Sequence, residues 1–314
     1  MKAPLVLEIK GNSLDDGPGI RSVVFLKGCP LSCVWCHNPE SMKLSAELSF
    51  DAQACIDCGA CISICPVGAL SRSNPLFVDR DRCTLCFECV EACPSGALSR
   101  VGKQMSIDEI VNRVSKDKPF YDNSGGGVTL SGGEPTLHME FAAELLRRLK
   151  QEGIHTLLET CGHFHFDNFA AQMLPYLDCI FFDLKIYDED SHKDYCGRPN
   201  TLILDNFARL HQLIEQDNAG GGHRVTLLPR VPLIPNITDN DENLHAIAGF
   251  LADLGVKKAA QLPYNPLWHE KTRKIGAHNP HEDNEAMHKW LSREREQHCK
   301  QVFTERGIEV VRNP

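Results

Sequence analysis

The chain of 314 residues has no apolar run that approaches the ~20 residues of a membrane-spanning helix. Positive charge is also scarce, because 33 Lys and Arg residues stand against 42 Asp and Glu residues, which gives a formal net charge of −9. Nucleic acids and anionic membranes bind basic surfaces, so we expect neither as a partner. Residues 1–10 lack the apolar core and cleavage site of a secretory signal peptide, so we expect a cytoplasmic protein.

Cysteine, in contrast, is abundant, with 15 residues in the chain. Disulfides do not persist in a reducing cytosol, so this many cysteines in an unexported chain predict metal ligands and an oxygen-sensitive protein. The remaining composition, with 42% hydrophobic and 24% charged residues, is ordinary for a globular protein. The length allows one large α/β domain, or one domain with an insert.

Strand and helix patterns alternate along most of the chain, which predicts a parallel sheet curled into a full or partial barrel. Ser106 and Glu109 form a capping-box pattern that predicts a helix start. Residues 217–223 predict a flexible loop. The predicted strands lie within residues 1–10, 21–27, 127–130, 155–159, 178–185, 224–231, 259–264 and 308–312. Further helices are predicted within residues 137–151, 166–174, 201–216, 239–254 and 282–306.

One short loop concentrates three cysteines, Cys29, Cys33 and Cys36, with the spacing C-x3-C-x2-C and no fourth cysteine before Cys55. A cluster of four irons and four sulfides normally takes four thiolates, so three thiolates in one loop would leave one iron open to another ligand. The strand predicted at residues 21–27 runs directly into this loop, and α/β barrels keep their active sites at the carboxyl ends of strands. The alternatives are a zinc loop, whose C-x2-C knuckles this spacing lacks, and cysteines buried by coincidence.

Eight further cysteines fall between residues 50 and 101, in two similar halves that indicate an internal duplication. Each half has the spacing C-x2-C-x2-C-x3-C-P of bacterial two-cluster ferredoxins, in which the fourth cysteine of each run binds the other cluster. Zinc is the alternative ligand. The pattern predicts one [4Fe–4S] site formed by Cys55, Cys58, Cys61 and Cys93, and a second formed by Cys83, Cys86, Cys89 and Cys65.

A glycine-rich run, GGGVTLSGGEP at residues 125–135, spans the second predicted barrel strand and its carboxyl end. Glycine lets the backbone approach a ligand closely, and the carboxylate of Glu134 can accept a hydrogen bond from an ammonium group. Taken alone, such a run is equally typical of an ordinary turn.

Together these motifs resemble those of a known superfamily. Because Trp35 precedes Cys36, the loop reads C-x3-C-x-aromatic-C, and this pattern resembles the signature of the radical S-adenosylmethionine (SAM) enzymes. In that superfamily the amino acid end of SAM chelates the open iron, and a Gly-Gly-Glu-Pro motif holds the SAM amino group.

The order and spacing of further motifs narrow the resemblance. They are Asp-Gly-Pro-Gly-Ile-Arg at 16–21, His-Asn at 37–38, Ser-Gly-Gly-Glu at 131–134 and Asp-Leu-Lys at 183–185. Over essentially its whole length the chain resembles a glycyl radical enzyme activating enzyme, of the pyruvate formate-lyase activating enzyme family. The cysteine-rich insert resembles that of the subgroup that activates other glycyl radical enzymes.

The resemblance implies a partial (β/α)6 TIM-like barrel formed by residues 1–49 and 102–314. Residues 50–101 would be an inserted ferredoxin-like domain with two [4Fe–4S] clusters. The implied cofactors are three [4Fe–4S] clusters, SAM and a monovalent cation.

The resemblance also implies the site residues, carried over position by position. Cys29, Cys33 and Cys36 would hold the catalytic cluster, and Lys185 would act beside it as a catalytic residue that reaches the ligand. Asp16 would contact the partner's glycyl loop, and Glu159 with Asp183 would bind the cation. The implied SAM contacts are Trp35, His37, Asn38, Ser131, Gly132, Gly133, Glu134, Asp183, Leu184, Lys185, Arg230 and Asn265.

Two positions depart from the family pattern. Residues 159–162 read Glu-Thr-Cys-Gly where the family has Asp-Thr-Asn-Gly, so the cation ligand Glu159 is one methylene longer. Residues 262–265 read Leu-Pro-Tyr-Asn where relatives have Leu-Pro-Tyr-His, so Asn265 can keep a hydrogen bond to SAM but cannot titrate. Four cysteines have no ligand spacing and receive no metal role: Cys161, Cys179, Cys196 and Cys299.

The implied activity is reductive cleavage of SAM to methionine and a 5′-deoxyadenosyl radical, which abstracts a hydrogen atom from a glycine of a glycyl radical enzyme. Flavodoxin or ferredoxin is the implied electron donor, and we expect a monomer. The insert clusters would relay the electron or tune docking. The alternatives are a radical SAM enzyme acting on a small molecule, and an iron–sulfur electron-transfer protein with no use for Gly-Gly-Glu-Pro.

Overall fold

The computed structural model describes residues 3–279 and 281–311. Eleven strands form within them, nine in one sheet and two in a separate antiparallel sheet. The strands are β1 (Leu5–Ser13), β2 (Arg21–Leu26), β3 (Glu47–Phe50), β4 (Leu98–Val101), β5 (Lys103–Gln104), β6 (Gly127–Gly132), β7 (His155–Thr160), β8 (Cys179–Asp183), β9 (Thr226–Pro232), β10 (Lys258–Leu262) and β11 (Glu309–Val311).

The large sheet has the order β11-β10-β9-β8-β7-β6-β2-β1-β5. From β11 to β2 all neighbours pair in parallel, whereas β1 runs antiparallel to both β2 and β5. The central strands are buried along nearly their whole length, which is typical of parallel sheets covered by helices on their faces. In the described chain β11 and β5 remain as separate edges, so the sheet is an open, partial barrel.

Eleven α-helices accompany the strands in the described residues. The capping box predicted at Ser106 and Glu109 is confirmed, since each side chain accepts the other's backbone N–H. The helices are α1 (Ala60–Ile64), α2 (Glu88–Glu91), α3 (Ile107–Val114), α4 (Lys118–Ser124), α5 (Met139–Gln151), α6 (Phe166–Gln172), α7 (Glu189–Cys196), α8 (Thr201–Ala219), α9 (Asp241–Asp253), α10 (Trp268–Lys274) and α11 (Arg293–Thr304).

Two sequence predictions of local structure are wrong. The loop predicted at 217–223 is partly helical, because α8 continues to Ala219 and the Asn218 side chain bonds the backbone of Val225 just before β9. Of the range 282–306, predicted as one long helix, only α11 (Arg293–Thr304) forms an α-helix. Its start is fixed by Ser292, whose hydroxyl accepts the Arg295 N–H, and the preceding stretch is irregular apart from one 3₁₀ turn.

The main hydrophobic core lies between the sheet and its helices. Phe182 on β8 is fully buried there, and its ring packs edge-on against Phe164 and Phe207 with centroid distances of 6.4 and 5.2 Å. Such aromatic contacts add to the burial term itself.

Residues 47–101 have a hydrophobic cluster of their own, which includes Leu48, Phe77 and Leu98. The antiparallel pair β3 and β4 closes this segment at its two ends. A buried ion pair between Lys27 and Glu47 (3.0 Å) and a second pair between Lys274 and Asp51 (2.9 Å) join it to the barrel. Within residues 3–279 and 281–311, no helix is both long enough and apolar enough to cross a bilayer.

Replacing Phe182 with Ala should lower the free energy of unfolding by about 3–5 kcal/mol, because the cavity left in a packed core cannot fully collapse. Urea unfolding in anaerobic, reducing buffer measures this loss. The matched control is Phe120→Ala on α4, where the ring is 51% exposed and the change should stay within about 0.5 kcal/mol. Equal stability of the two variants would contradict the assignment of Phe182 to the core.

Candidate functional site

A cavity of ≈ 560 Å³ opens at the carboxyl ends of the parallel strands, a size typical of small-molecule sites. Its walls come from the loops that follow β2, β6, β7, β8, β9 and β10. Asp15 and Asp16, which follow the antiparallel β1, also line the cavity and reach it from the amino end of β2. The lining includes Cys29, Cys33, Trp35, Cys36, His37 and Asn38 after β2, Ser131, Gly132 and Gly133 after β6, Glu159, Thr160 and Cys161 after β7, Asp183 and Lys185 after β8, Arg230 and Pro232 on β9, and Leu262 and Asn265 after β10.

The three-cysteine loop is held in place by backbone hydrogen bonds along its length. The Cys29 N–H donates to the Met42 carbonyl (3.0 Å). The N–H groups on either side of Cys33 donate to the carbonyls of Tyr195 and Cys196 at the end of α7 (3.0 and 2.9 Å). The backbone of the loop is therefore held from two sides.

Two glycines allow the β6 loop to cross directly over the base of this cysteine loop. A Cβ at Gly133 would collide with the Gly28 carbonyl, and one at Gly132, whose φ is +111°, would collide with the backbone of Leu26. The Glu134 N–H donates to the Gly28 carbonyl (2.7 Å). Gly132 and Gly133 thus allow two segments of backbone to pack closely against each other. The sequence had suggested only that these glycines let the backbone approach a ligand.

Glu134 lies beneath the cavity, fully buried and outside its lining. Its carboxylate accepts hydrogen bonds from the Thr136 hydroxyl (2.7 Å), the Thr160 hydroxyl (3.0 Å) and the Cys161 N–H (2.7 Å). In this structure Glu134 therefore ties the loop after β6 to the loop after β7. Leu184 is also buried and does not line the cavity.

Four charged side chains form one network on the cavity wall. Arg230 donates from Nη1 to Glu159 Oε1 (2.5 Å) and from Nε to Asp183 Oδ1 (2.8 Å). Lys185 Nζ donates to Asp183 Oδ2 (3.0 Å), and the Ser131 hydroxyl donates to Glu159 Oε2 (2.6 Å). Residues predicted separately from β6, β7, β8 and β9 are thereby brought together.

This network keeps Asp183, Lys185 and Arg230 charged despite their burial. Burial opposes ionisation of Asp183, but Arg230 and Lys185 outweigh it and lower the pKa of Asp183. Burial likewise opposes the charged forms of Lys185 and Arg230. Asp183 overcomes this effect for both residues, aided by Glu159 in the case of Arg230, so both pKa values are raised.

The other predicted contacts lie around the same cavity. Burial, together with nearby Lys271 and Lys185, lowers the pKa of His37 to about 4, so its ring is neutral at pH 7. The Asn38 side chain accepts a hydrogen bond from Lys271 (2.9 Å), and the Asn265 side chain accepts one from the Leu267 N–H (2.9 Å). Trp35 is buried near Tyr195, with ring centroids 6.4 Å apart. The Asp16 carboxylate accepts a hydrogen bond from Ser13.

Sequence reasoning missed two cysteines beside the cysteine loop. The Cys196 carbonyl accepts a hydrogen bond from the N–H of Ser32 next to Cys33 (2.9 Å), and Cys161 lines the same cavity as Cys29. Neither residue has ligand spacing. Cys161 could have been predicted to lie near the site, because it directly follows the carboxyl end of β7. Cys196 could not, because it lies at the end of helix α7 and not after a strand.

The insert cysteines fall into two groups, each lining its own small cavity. One cavity is lined by Cys55, Cys58, Cys61 and Cys93, and the other by Cys65, Cys83, Cys86 and Cys89. These are the two sets that the sequence spacing predicted. Within the described residues, no three His, Cys, Asp or Glu side chains are arranged to hold a single metal ion. Thiolates that bind separate irons of one cluster do not converge on a single point, so this finding concerns mononuclear sites.

Comparison with known proteins gives consistent matches over most of the chain. The sequence profile of the radical SAM superfamily matches residues 23–244. The chain is 41% identical to the trans-4-hydroxy-L-proline dehydratase activating enzyme of Clostridioides difficile, over 87% of this chain and 88% of that protein. It is 40% identical to the isethionate sulfite-lyase activating enzyme of Nitratidesulfovibrio vulgaris, over 85% of this chain and 86% of that protein. It is 39% identical to the benzylsuccinate synthase activating enzyme of Thauera aromatica, over 80% of this chain and 75% of that protein.

Replacing Arg230 with Met should destabilise the metal-free protein by about 3–5 kcal/mol, because two buried carboxylates would lose their shared counter-charge. Urea unfolding in anaerobic, reducing buffer measures the change. Arg209→Met is the control, since its ion pair with Asp167 is exposed and should contribute less than about 1 kcal/mol. If Arg230→Met were no less stable than this control, the network would not organise the cavity wall.

Proposed function

The chain belongs to the radical SAM superfamily and, within it, to the glycyl radical enzyme activating enzymes, and we propose that it activates a partner protein by removing a hydrogen atom from one of that partner's glycines. It does so by cleaving SAM reductively to methionine and a 5′-deoxyadenosyl radical. The observation that carries this proposal is the single cavity lined by three thiols from one loop, Gly132, Gly133, Lys185 and Arg230.

The donor set suits a [4Fe–4S] cluster that is bound by only three thiolates. Cys29, Cys33 and Cys36 all line the cavity, and backbone hydrogen bonds hold their loop in place. When bound, such a cluster supplies the single electron that breaks a carbon–sulfur bond of SAM. A fourth cysteine at the usual spacing is absent from this loop, which leaves one iron for SAM.

The other cavity residues orient SAM and exclude water around it. Arg230 uses two of its five N–H donors on Glu159 and Asp183, and the planar fork that remains suits the SAM carboxylate. Lys185, His37 and Asn38 would complete the SAM site together with Ser131, Gly132 and Gly133, with Trp35 against the adenine. Asn265 would replace the family's His as a hydrogen-bonding group.

A monovalent cation would bind beside SAM, through Glu159 and Asp183. These carboxylates come from the neighbouring strands β7 and β8, and both contact Arg230, so they lie close together on one wall. The glutamate is longer than the aspartate of the family, and it reaches Arg230 and Ser131 with its two separate oxygens.

In the proposed enzyme, residues 50–101 form a ferredoxin-like domain that binds two further [4Fe–4S] clusters. Support comes from the two cavities, each lined by four cysteines drawn from both halves of the duplication.

The protein would act as a monomer and receive its electrons from flavodoxin or ferredoxin. All 15 cysteines are free in this structure, and the reducing cytoplasm would keep them reduced. Since three relatives of nearly equal identity are named for different partners, the proposal names the partner only as a glycyl radical enzyme.

Reconstituted protein that is reduced anaerobically and given SAM should release 5′-deoxyadenosine and methionine, measured by mass spectrometry. Cys33→Ala should abolish the product, because the three-thiolate site is then incomplete. Cys179→Ala is the control, since Cys179 lies buried in β8 away from the cavity and should leave cleavage intact. Bound clusters without any SAM cleavage would instead favour the electron-transfer alternative.

The metal content should separate the three proposed clusters. Wild-type protein should bind about 12 irons, and a Cys29→Ala, Cys33→Ala, Cys36→Ala variant about 8, because each cluster holds four irons. Inductively coupled plasma mass spectrometry of iron, with zinc measured in the same sample, gives the counts. A wild-type content of about four irons would rule out clusters in the insert.

A further inference from the structure

A tryptophan stands exposed at the mouth of the cavity. Trp290 is 63% exposed, whereas Trp35 and Trp268, the other two tryptophans of the chain, are buried. Trp290 lines the cavity, and it also lines a second, open groove of ≈ 640 Å³ that passes Pro235, Asn236 and Ser292 to Arg295. We call this second depression the rim groove. It continues the catalytic cavity outward, with Trp290 as the shared wall.

Trp290 protrudes from a loop whose base is firmly anchored. Three residues earlier, Met287 is fully buried, and its carbonyl accepts hydrogen bonds from the Tyr264 hydroxyl (2.7 Å) and from His269 Nε2 (2.8 Å). The Tyr264 hydroxyl in turn accepts a hydrogen bond from the Trp268 indole N–H (2.7 Å). An exposed indole on an anchored loop is unfavourable in water and typical of a surface that binds a partner.

The charges of the rim groove are already paired. Arg295 donates to the Asp239 carbonyl and to the Asp241 carboxylate (2.7 Å), and it lies 3.5 Å from the Asp239 carboxylate. The Asp241 carboxylate also contacts His298 (3.0 Å). A groove with internally neutralised charges favours an uncharged segment that offers apolar side chains and backbone hydrogen bonds.

We propose that Trp290 and the rim groove bind an extended, uncharged polypeptide segment of the partner protein, next to the glycine that enters the cavity. A glycine within a chain can reach the cavity only if the chain both enters and leaves, so the flanking residues need a surface at the mouth. The rim groove is such a surface because it is open and continuous with the cavity. This inference rests on the proposed function and adds to it the surface that recognises the partner.

The test is Trp290→Ala, with Phe120→Ala as the control, which removes another exposed ring that lines neither the cavity nor the rim groove. The substrate is a glycyl radical enzyme that the wild-type protein activates, with radical formation followed by electron paramagnetic resonance. Trp290→Ala should raise KM for the partner at least about tenfold, as expected for loss of a central aromatic contact, while kcat at saturating partner changes less than about threefold. Phe120→Ala should change neither constant.

A second measurement uses the same indole as a probe. Because Trp290 is the exposed tryptophan, acrylamide should quench a fraction of the fluorescence that is missing in Trp290→Ala. A tryptophan-free peptide spanning the partner's glycine should protect that fraction.

An unchanged KM, or quenching unaffected by the peptide, would overturn the docking proposal and leave the proposed function standing. A loss of SAM affinity as large as the rise in KM would also overturn it, because Trp290 would then serve SAM. Failure of the proposed function itself is distinguishable, since wild-type protein would then cleave no SAM.

Discussion

Parallel strand pairing is the constraint on which the rest of this structure depends. Because β2 and β6 to β10 run in one direction, the loops after them meet at one edge of the sheet. Residues separated by more than two hundred positions, such as Cys29 and Asn265, thereby line one cavity. The antiparallel β1 brings Asp15 and Asp16 to the same cavity from the opposite edge of the sheet, beside the start of β2.

The ion-pair network around Arg230 stabilises the cavity wall, where burial makes charged groups most unfavourable. Asp183, Lys185 and Arg230 are largely removed from water, and burial alone would oppose the charge of each. Their mutual contacts keep these three groups ionised, and the further ion pair with Glu159 connects β7, β8 and β9 at the point where SAM is proposed to bind. Buried ion pairs contribute little net stability compared with apolar packing, so such a network is better explained by ligand binding than by folding.

Much of this site could be predicted from sequence, because its signals are local. The C-x3-C-x2-C loop, the Gly-Gly pair and the duplicated cysteine runs each lie within a few residues, and the structure groups them as the spacing indicated. What could not be predicted depends on distant contacts. Cys196 reaches Cys33 through the end of α7, and the stretch before α11 is irregular because the Met287 carbonyl bonds Tyr264 and His269.

The central claim is that SAM binds in this cavity beside the three cysteine thiolates, with its amino acid end on the iron that they leave open. Electron–nuclear double resonance on the reduced protein, with SAM labelled by ¹⁵N at its amino group, tests this directly. We expect a ¹⁵N hyperfine coupling to the cluster, which is replaced by a ¹⁴N coupling when unlabelled SAM displaces the labelled molecule. Bound SAM without any such coupling would contradict the account.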